Sequence, residues 1–180
     1  MPYTIAPTLF EPMATPNWRD RANFGLDAKS ANECLILGLG NDILCDDAIG
    51  LLVAREIKRR LAEHTGIDVS EACEMGLSLL DYIIGYKNLI LIDAIQTGKT
   101  APGFVHELEG QNLKLLPIAS PHFVGVGEMI SLGRNLGLTV PDRVRIFAIE
   151  VQNPFTITTE MTPALKAAMP GIVDRILGSL

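Results

Sequence analysis

Cys34-Leu35-Ile36-Leu37-Gly38-Leu39-Gly40-Asn41-Asp42-Ile43-Leu44-Cys45-Asp46-Asp47-Ala48-Ile49-Gly50 is the stretch on which the fold turns. Its first six residues form a short continuous apolar run, the pattern of a strand buried on both faces of a sheet. Gly40-Asn41-Asp42 marks a turn. From Ala48 the period becomes helical: Ile49, Leu52, Val53, Ile57 and Leu61 share one face, and Arg55, Glu56, Lys58 and Arg59 fall mostly elsewhere. A buried strand, a tight turn and an amphipathic helix, in that order, open a parallel α/β fold.

The same alternation continues downstream. Ile67 to Ala72 can form a second strand, and Leu77 to Ile84 a short helix. Leu89-Ile90-Leu91-Ile92 is another buried strand, ending at Asp93, and Phe104 to Leu108 is expected at a sheet edge. Ser120-Pro121 opens a helix with Ser as N-cap and Pro in the first turn, and Val126, Met129 and Ile130 form its apolar stripe. Val144 to Ile149 is a further strand. Thr162-Pro163 starts a C-terminal helix carrying Leu165, Met169, Ile172, Val173, Ile176 and Leu177, which Pro170 is expected to kink or split. Strands alternating with helices predict a three-layer α/β sandwich, a twisted, mostly parallel sheet covered by helices on both faces. The domain spans residues 33–180. Residues 1–32 are expected to be an irregular arm, because Pro2, Pro7, Pro12 and Pro16 interrupt any regular period. Phe10, Trp18 and Phe24 could pin it to the surface.

Composition narrows the function. Of the 180 residues 48% are hydrophobic and 20% charged, ordinary for a globular enzyme, and the formal net charge is −6. An acidic balance argues against a nucleic-acid partner, which needs a basic face. Cys34, Cys45 and Cys73 are odd in number and far apart, so neither a disulfide framework nor a zinc knuckle is expected, and a cytoplasmic location follows. No apolar run is long enough to span a bilayer, and residues 1–30 lack the apolar stretch of an export signal. A monomer is favoured, with oligomerisation left open.

Ligands of open α/β sheets bind at the carboxyl ends of the strands. Three loops there carry distinctive polar residues: the one through Asp46 and Asp47, Asp93-Ala94, and Ser120-Pro121-His122. Asp47, Asp93 and His122 together would offer two oxygens and one nitrogen, a donor set suited to nickel or zinc, whereas calcium wants more oxygens. Each residue also has a plainer reading. Asp46 or Asp47 could cap the following helix, Asp93 could bind a turn N–H, and His122 could be solvated. His64 and His106 read as surface or edge-strand residues with nothing beside them. A dinucleotide fingerprint would need a third glycine where Ile43 stands, and three nearby carboxylates would repel phosphate. Gly38-Leu39-Gly40-Asn41 is similar to the opening of peptidyl-tRNA hydrolases, which continue with proline where this chain has Asp42.

Taken together, these segments resemble the hydrogenase maturation proteases, the nickel-recognising endopeptidases of NiFe-hydrogenase biosynthesis. The likeness runs from about Cys34 to Leu180. The stretch from Gly38 to Gly50 is similar to the family's opening motif, Leu91-Ile92-Asp93-Ala94 to its second and Ser120-Pro121-His122 to its third. Val144 to Ala164, with Glu150 and Thr162-Pro163, resembles its last strand and final helix start. Where the family usually carries Asp-Gly-Gly-Thr, this chain reads Glu71-Ala72-Cys73-Glu74-Met75-Gly76, keeping only the acid. The resemblance implies a phosphorylase/hydrolase-like α/β peptidase. It implies Asp47, Asp93 and His122 as metal ligands, with the nickel presented by the substrate. The substrate it implies is a nickel-loaded large-subunit precursor, which loses its C-terminal peptide. No Ser or Cys is paired with a base, so water attack is expected, with Asp47 or Asp46 as general base. The alternative from another class is a non-hydrolytic nickel-sensing chaperone or checkpoint protein.

Overall fold

The computed structural model describes residues 33–61, 66–74, 76–109 and 126–180. The arm expected over residues 1–32 lies outside them, as do His64 and the Ser120-Pro121-His122 motif.

Five strands make one sheet: β1 (Cys34–Leu39), β2 (Ile67–Ala72), β3 (Asn88–Ile95), β4 (Val105–Glu109) and β5 (Arg143–Glu150), in the order β2-β1-β3-β5-β4. All neighbours are parallel except β4, which runs antiparallel to β5 at the edge. The helices are α1 (Ile49–Arg60), α2 (Leu80–Ile83), α3 (Val126–Asn135) and α4 (Pro163–Leu177), with 3₁₀ turns at Cys45–Ala48 and Gly76–Leu79.

The period-two side-chain alternation of the strands sorts their apolar residues onto two cores. Leu35, Leu37, Leu89, Leu91 and Ile146 pack with residues of α2 and α3. Ile36, Ile90, Ile92, Phe147 and Ile149 pack with residues of α1 and α4. The three-layer expectation is therefore met, with helices on both faces of a mostly parallel sheet.

Three local expectations shift. β3 continues two residues past Asp93, so Asp93 belongs to the strand rather than to the loop after it. The helix expected from Leu77 is a 3₁₀ turn running into the four-residue α2. Pro170 neither ends nor splits α4, which runs unbroken from Pro163 to Leu177. Leu165 on one side of the proline and Ile172, Val173 and Ile176 on the other are all buried in the same core. That packing outweighs the backbone hydrogen bond the proline removes. Among the described residues no helix is long and apolar enough to cross a membrane.

Candidate active site

The chain adds β2 on one side of β1 and then crosses to add β3 on the other. The boundary between β1 and β3 is thus the sheet's switch point, and the crevice beyond its carboxyl end is where such folds bind ligands. Both carboxylates singled out above, Asp47 and Asp93, come to this end.

Asp47 follows β1 in the 3₁₀ turn, and three glycines let that turn press onto the strand ends. A Cβ on Gly50 would stand 2.1 Å from the Leu39 carbonyl oxygen and 2.5 Å from that of Ile92. One on Gly38 would stand 2.4 Å from the Gly50 carbonyl oxygen, and one on Gly40 2.2 Å from that of Asp47. The glycines that invite a phosphate-binding reading serve close helix-to-strand packing here. The turn also contacts β3 itself. Asp93 sits in β3 in register with Ala148 of β5, on the side of the strand that carries Leu89, Leu91 and Ile95. It is fully buried, and its Oδ1 accepts a hydrogen bond from the Ala94 N–H at 2.7 Å. Asp47 keeps 8% of its surface exposed.

Asp46 plays a different part from its neighbour. It is fully buried, and its Oδ2 accepts from the N–H groups of Gln152 at 3.3 Å and Asn153 at 2.9 Å and from Thr162 Oγ1 at 3.1 Å. Its Oδ1 accepts from the Thr162 N–H at 2.8 Å. One carboxylate thus joins the turn after β1, the loop after β5 and the start of α4. The N-cap positions of the 3₁₀ turn and of α1 are Leu44 and Ala48, neither with a side-chain cap, and the bonds of Asp46 go instead to residues 152, 153 and 162. Thr162 is the N-cap residue of α4, but its hydroxyl makes no cap bond and donates to Asp46 instead.

Cys45 is buried, its Sγ 3.3 Å from the Glu160 carbonyl oxygen and 3.8 Å from Asp46 Oδ1. Burial, and after it the charge of Asp46, pushes its thiol pKa up, so it stays protonated and poorly nucleophilic. Glu71, the acid kept where the family usually carries Asp-Gly-Gly-Thr, forms an ion pair with Arg55 at 2.7 Å. Arg55 also grips Asp42 with two hydrogen bonds, at 2.7 and 3.2 Å. The end of β2 is thereby tied to the loop after β1.

A second polar cluster escaped the sequence reading. Glu150, buried at the end of β5, accepts from Thr97 N–H and Gly98 N–H at 2.8 Å and from Thr97 Oγ1 at 2.7 Å. His106 Nε2 lies 3.2 Å from it and Thr100 Oγ1 also 3.2 Å. Burial alone would raise the Glu150 pKa, but its donors, Thr97 foremost, hold it below the usual carboxylate value. His106 is on the edge strand as expected, yet it has a buried carboxylate beside it. The available signal was Glu150 itself: an acid closing a buried apolar run, as Asp93 does.

Among the described residues no three His, Cys, Asp or Glu side chains are grouped to hold a metal ion, and His122 lies outside those residues. A cavity of about 900 Å³ opens at the opposite end of the sheet, where Cys34, Asn88 and Arg143 start their strands. It includes none of Asp46, Asp47 or Asp93, and the chemistry of the donor groups outweighs its size in locating the site.

The hydrogenase maturation protease family model matches residues 51–179. The chain is 26% identical over 148 residues to the hydrogenase 2 maturation protease of Escherichia coli (strain K12), covering 81% of this chain and 89% of that protein. Among solved structures it resembles the hydrogenase-maturating endopeptidase HybD from E. coli, at 25% identity and a TM-score of 0.70, covering 82% of this chain and 91% of the other. It also resembles the NiFe-hydrogenase maturation protease HybD from Thermococcus kodakarensis, at 25% identity and a TM-score of 0.64, covering 81% and 97%.

Proposed function

The chain belongs to the hydrogenase maturation protease family, and on that premise we propose that it removes the C-terminal peptide from the nickel-loaded precursor of a NiFe-hydrogenase large subunit. What supports this reading is that Asp47 lies in the turn after β1 and Asp93 near the end of β3, the two strands that flank the switch point.

Nickel enters as part of the substrate, held by the precursor's own thiolates. Asp47, Asp93 and His122 complete its coordination, so that only loaded precursor is fixed in a productive pose. Two carboxylates and an imidazole bind weakly alone, and the substrate's sulfur ligands supply the rest of the affinity. Asp47, which keeps 8% of its surface exposed where Asp46 keeps none, is the general base through the carboxylate oxygen that does not hold the nickel. It takes a proton from water as the water oxygen attacks the scissile carbonyl carbon. It returns that proton to the departing amine as the C–N bond breaks. Asp46 is less suited to that step, since four donors already occupy its oxygens. Its role here is to hold the turn that carries Asp47. Cys45 is not the nucleophile, being protonated and buried. All three cysteines are free thiols, which supports a cytoplasmic site of action.

The test is the mass of the nickel-loaded precursor after incubation with the protein. Wild type shortens it at its C-terminus, and folded Asp47→Asn leaves it intact. An intact precursor held by wild type in a nickel-dependent complex would make the protein a non-hydrolytic checkpoint instead.

A further inference from the structure

β3 runs past one of its neighbours at the candidate site. Its ladder with β1 ends at Gly38 and Ile92, whereas its ladder with β5 continues through Asp93 and Ala94 to Ile95, opposite Glu150. Asp93 therefore stands where β3 is paired on one side only. Its carboxylate is tied to the backbone beside it, through the Ala94 N–H. Whatever holds the backbone after Ala94 sets where that carboxylate points.

The hydrogen bonds of Glu150 converge on the loop that follows. Its Oε1 accepts from Thr97 N–H and Gly98 N–H, and its Oε2 from the hydroxyls of Thr97 and Thr100. His106 Nε2 on β4 closes the set. An apolar residue here would avoid the cost of burying a charge, but would leave two backbone N–H groups without their acceptor.

The same short segment reaches the turn after β1. Val151 N–H donates to the Ile95 carbonyl at 2.8 Å, and Gln96 Nε2 to the Gln152 carbonyl at 2.7 Å. Gln152 N–H and Asn153 N–H donate to Asp46, the residue before Asp47. Residues 150–153 thus hold the backbone after Asp93 on one side and the turn that carries Asp47 on the other.

We propose that Glu150 is a positioning residue for nickel recognition: by gripping Thr97 and Gly98 it keeps Asp93 where it and Asp47 can reach one metal ion. This rests on the function proposed above. Groups that orient metal ligands typically govern about 10–100-fold in metal affinity or activity. In that function Asp93 is a ligand, whereas Asp47 is also the base. A displaced Asp93 therefore weakens binding of the loaded precursor and spares proton transfer, which raises KM at constant kcat. Partial unfolding does the reverse, lowering kcat per mole of protein at constant KM.

The test is steady-state cleavage of nickel-loaded precursor by full-length Glu150→Ala and Glu150→Gln. Val173→Ala, a truncation in the core under α4, is the stability control. Glu150→Ala should raise KM about tenfold or more with kcat little changed. Glu150→Gln, whose amide oxygen still accepts from both N–H groups, should return KM toward the wild-type value. Val173→Ala should lower Tm and leave KM unchanged. Should Glu150→Ala not fold, Glu150→Leu, which fills the space without an acceptor, carries the same expectation. An unchanged KM in the folded variant, or a loss of kcat alone, overturns the positioning role and leaves Glu150 a structural tie. A wild type that binds loaded precursor without cutting it sinks the proteolytic reading alone. The Kd of the same variants then takes the place of KM, and a rise or its absence decides in the same way. A wild type that neither cuts nor binds loaded precursor overturns both.

Discussion

At the residue scale, Asp46 and Asp47 are neighbours that differ in exposure. Asp46 is fully buried under donors from Gln152, Asn153 and Thr162, whereas Asp47 keeps 8% of its surface exposed. Removing a buried acceptor strands every donor that served it. Asp46→Ala should therefore lower the unfolding free energy by about 3 kcal/mol or more in urea titrations, since hydrogen bonds to charged groups are each worth about 1.5–3. Asp47→Asn, which keeps the size and shape of the side chain, should cost less stability than that truncation and still lose cleavage. Equal stability losses would show that the two acids share one structural role. Glu150 gives a pH prediction. Its folded-state pKa lies below the ordinary 4.5, so its contribution is fully present above pH 4.5 and is lost as pH falls through the lower folded value. The acid limb of the wild-type stability curve should be steeper than that of Glu150→Gln. Parallel limbs would mean that the Thr97 and Gly98 hydrogen bonds do not favour the charged form.

At the element scale, the decisive contact is the start of α1 against the ends of β1 and β3. Gly50 permits it, having two carbonyl oxygens inside 2.6 Å of where a Cβ would be. Gly50→Ala should destabilise by about 3 kcal/mol, because backbone on both sides has no room to yield. Gly171, inside α4 with open space where its Cβ would stand, gives the opposite sign. Gly171→Ala should stabilise by about 0.5–1 kcal/mol, the helix propensity difference. Thermal melts of the two variants decide the matter, and a destabilised Gly171→Ala would contradict the packing described. Elements of this kind were legible in the sequence because their signals are local. The apolar run at Cys34–Leu39, the switch of period at Ala48 and the Thr162-Pro163 start all mark real boundaries to within a few residues. Pro170 does not split α4, although local chemistry speaks against a proline in a helix, because Ile172, Val173 and Ile176 keep that helix in the core.

At the scale of the whole molecule, legibility falls with sequence distance. The alternation of strands and helices foretold a covered parallel sheet, and strand-end geometry brought Asp47 and Asp93 to the same end. The grip of Asp46 on residues more than a hundred positions away, and of Glu150 on the loop after β3, carries no periodic signature. Neither link is visible until the sheet order is known. That sheet order leaves the carboxyl ends of β1 and β3 as the place where a metal-bearing tail could be read and cut. The most direct test of that account follows precursor mass over time, with loaded and nickel-free precursor treated side by side. The account predicts loss of a C-terminal peptide from the loaded form alone. Equal shortening of both forms would contradict it, since the protein would then cut without reading the metal.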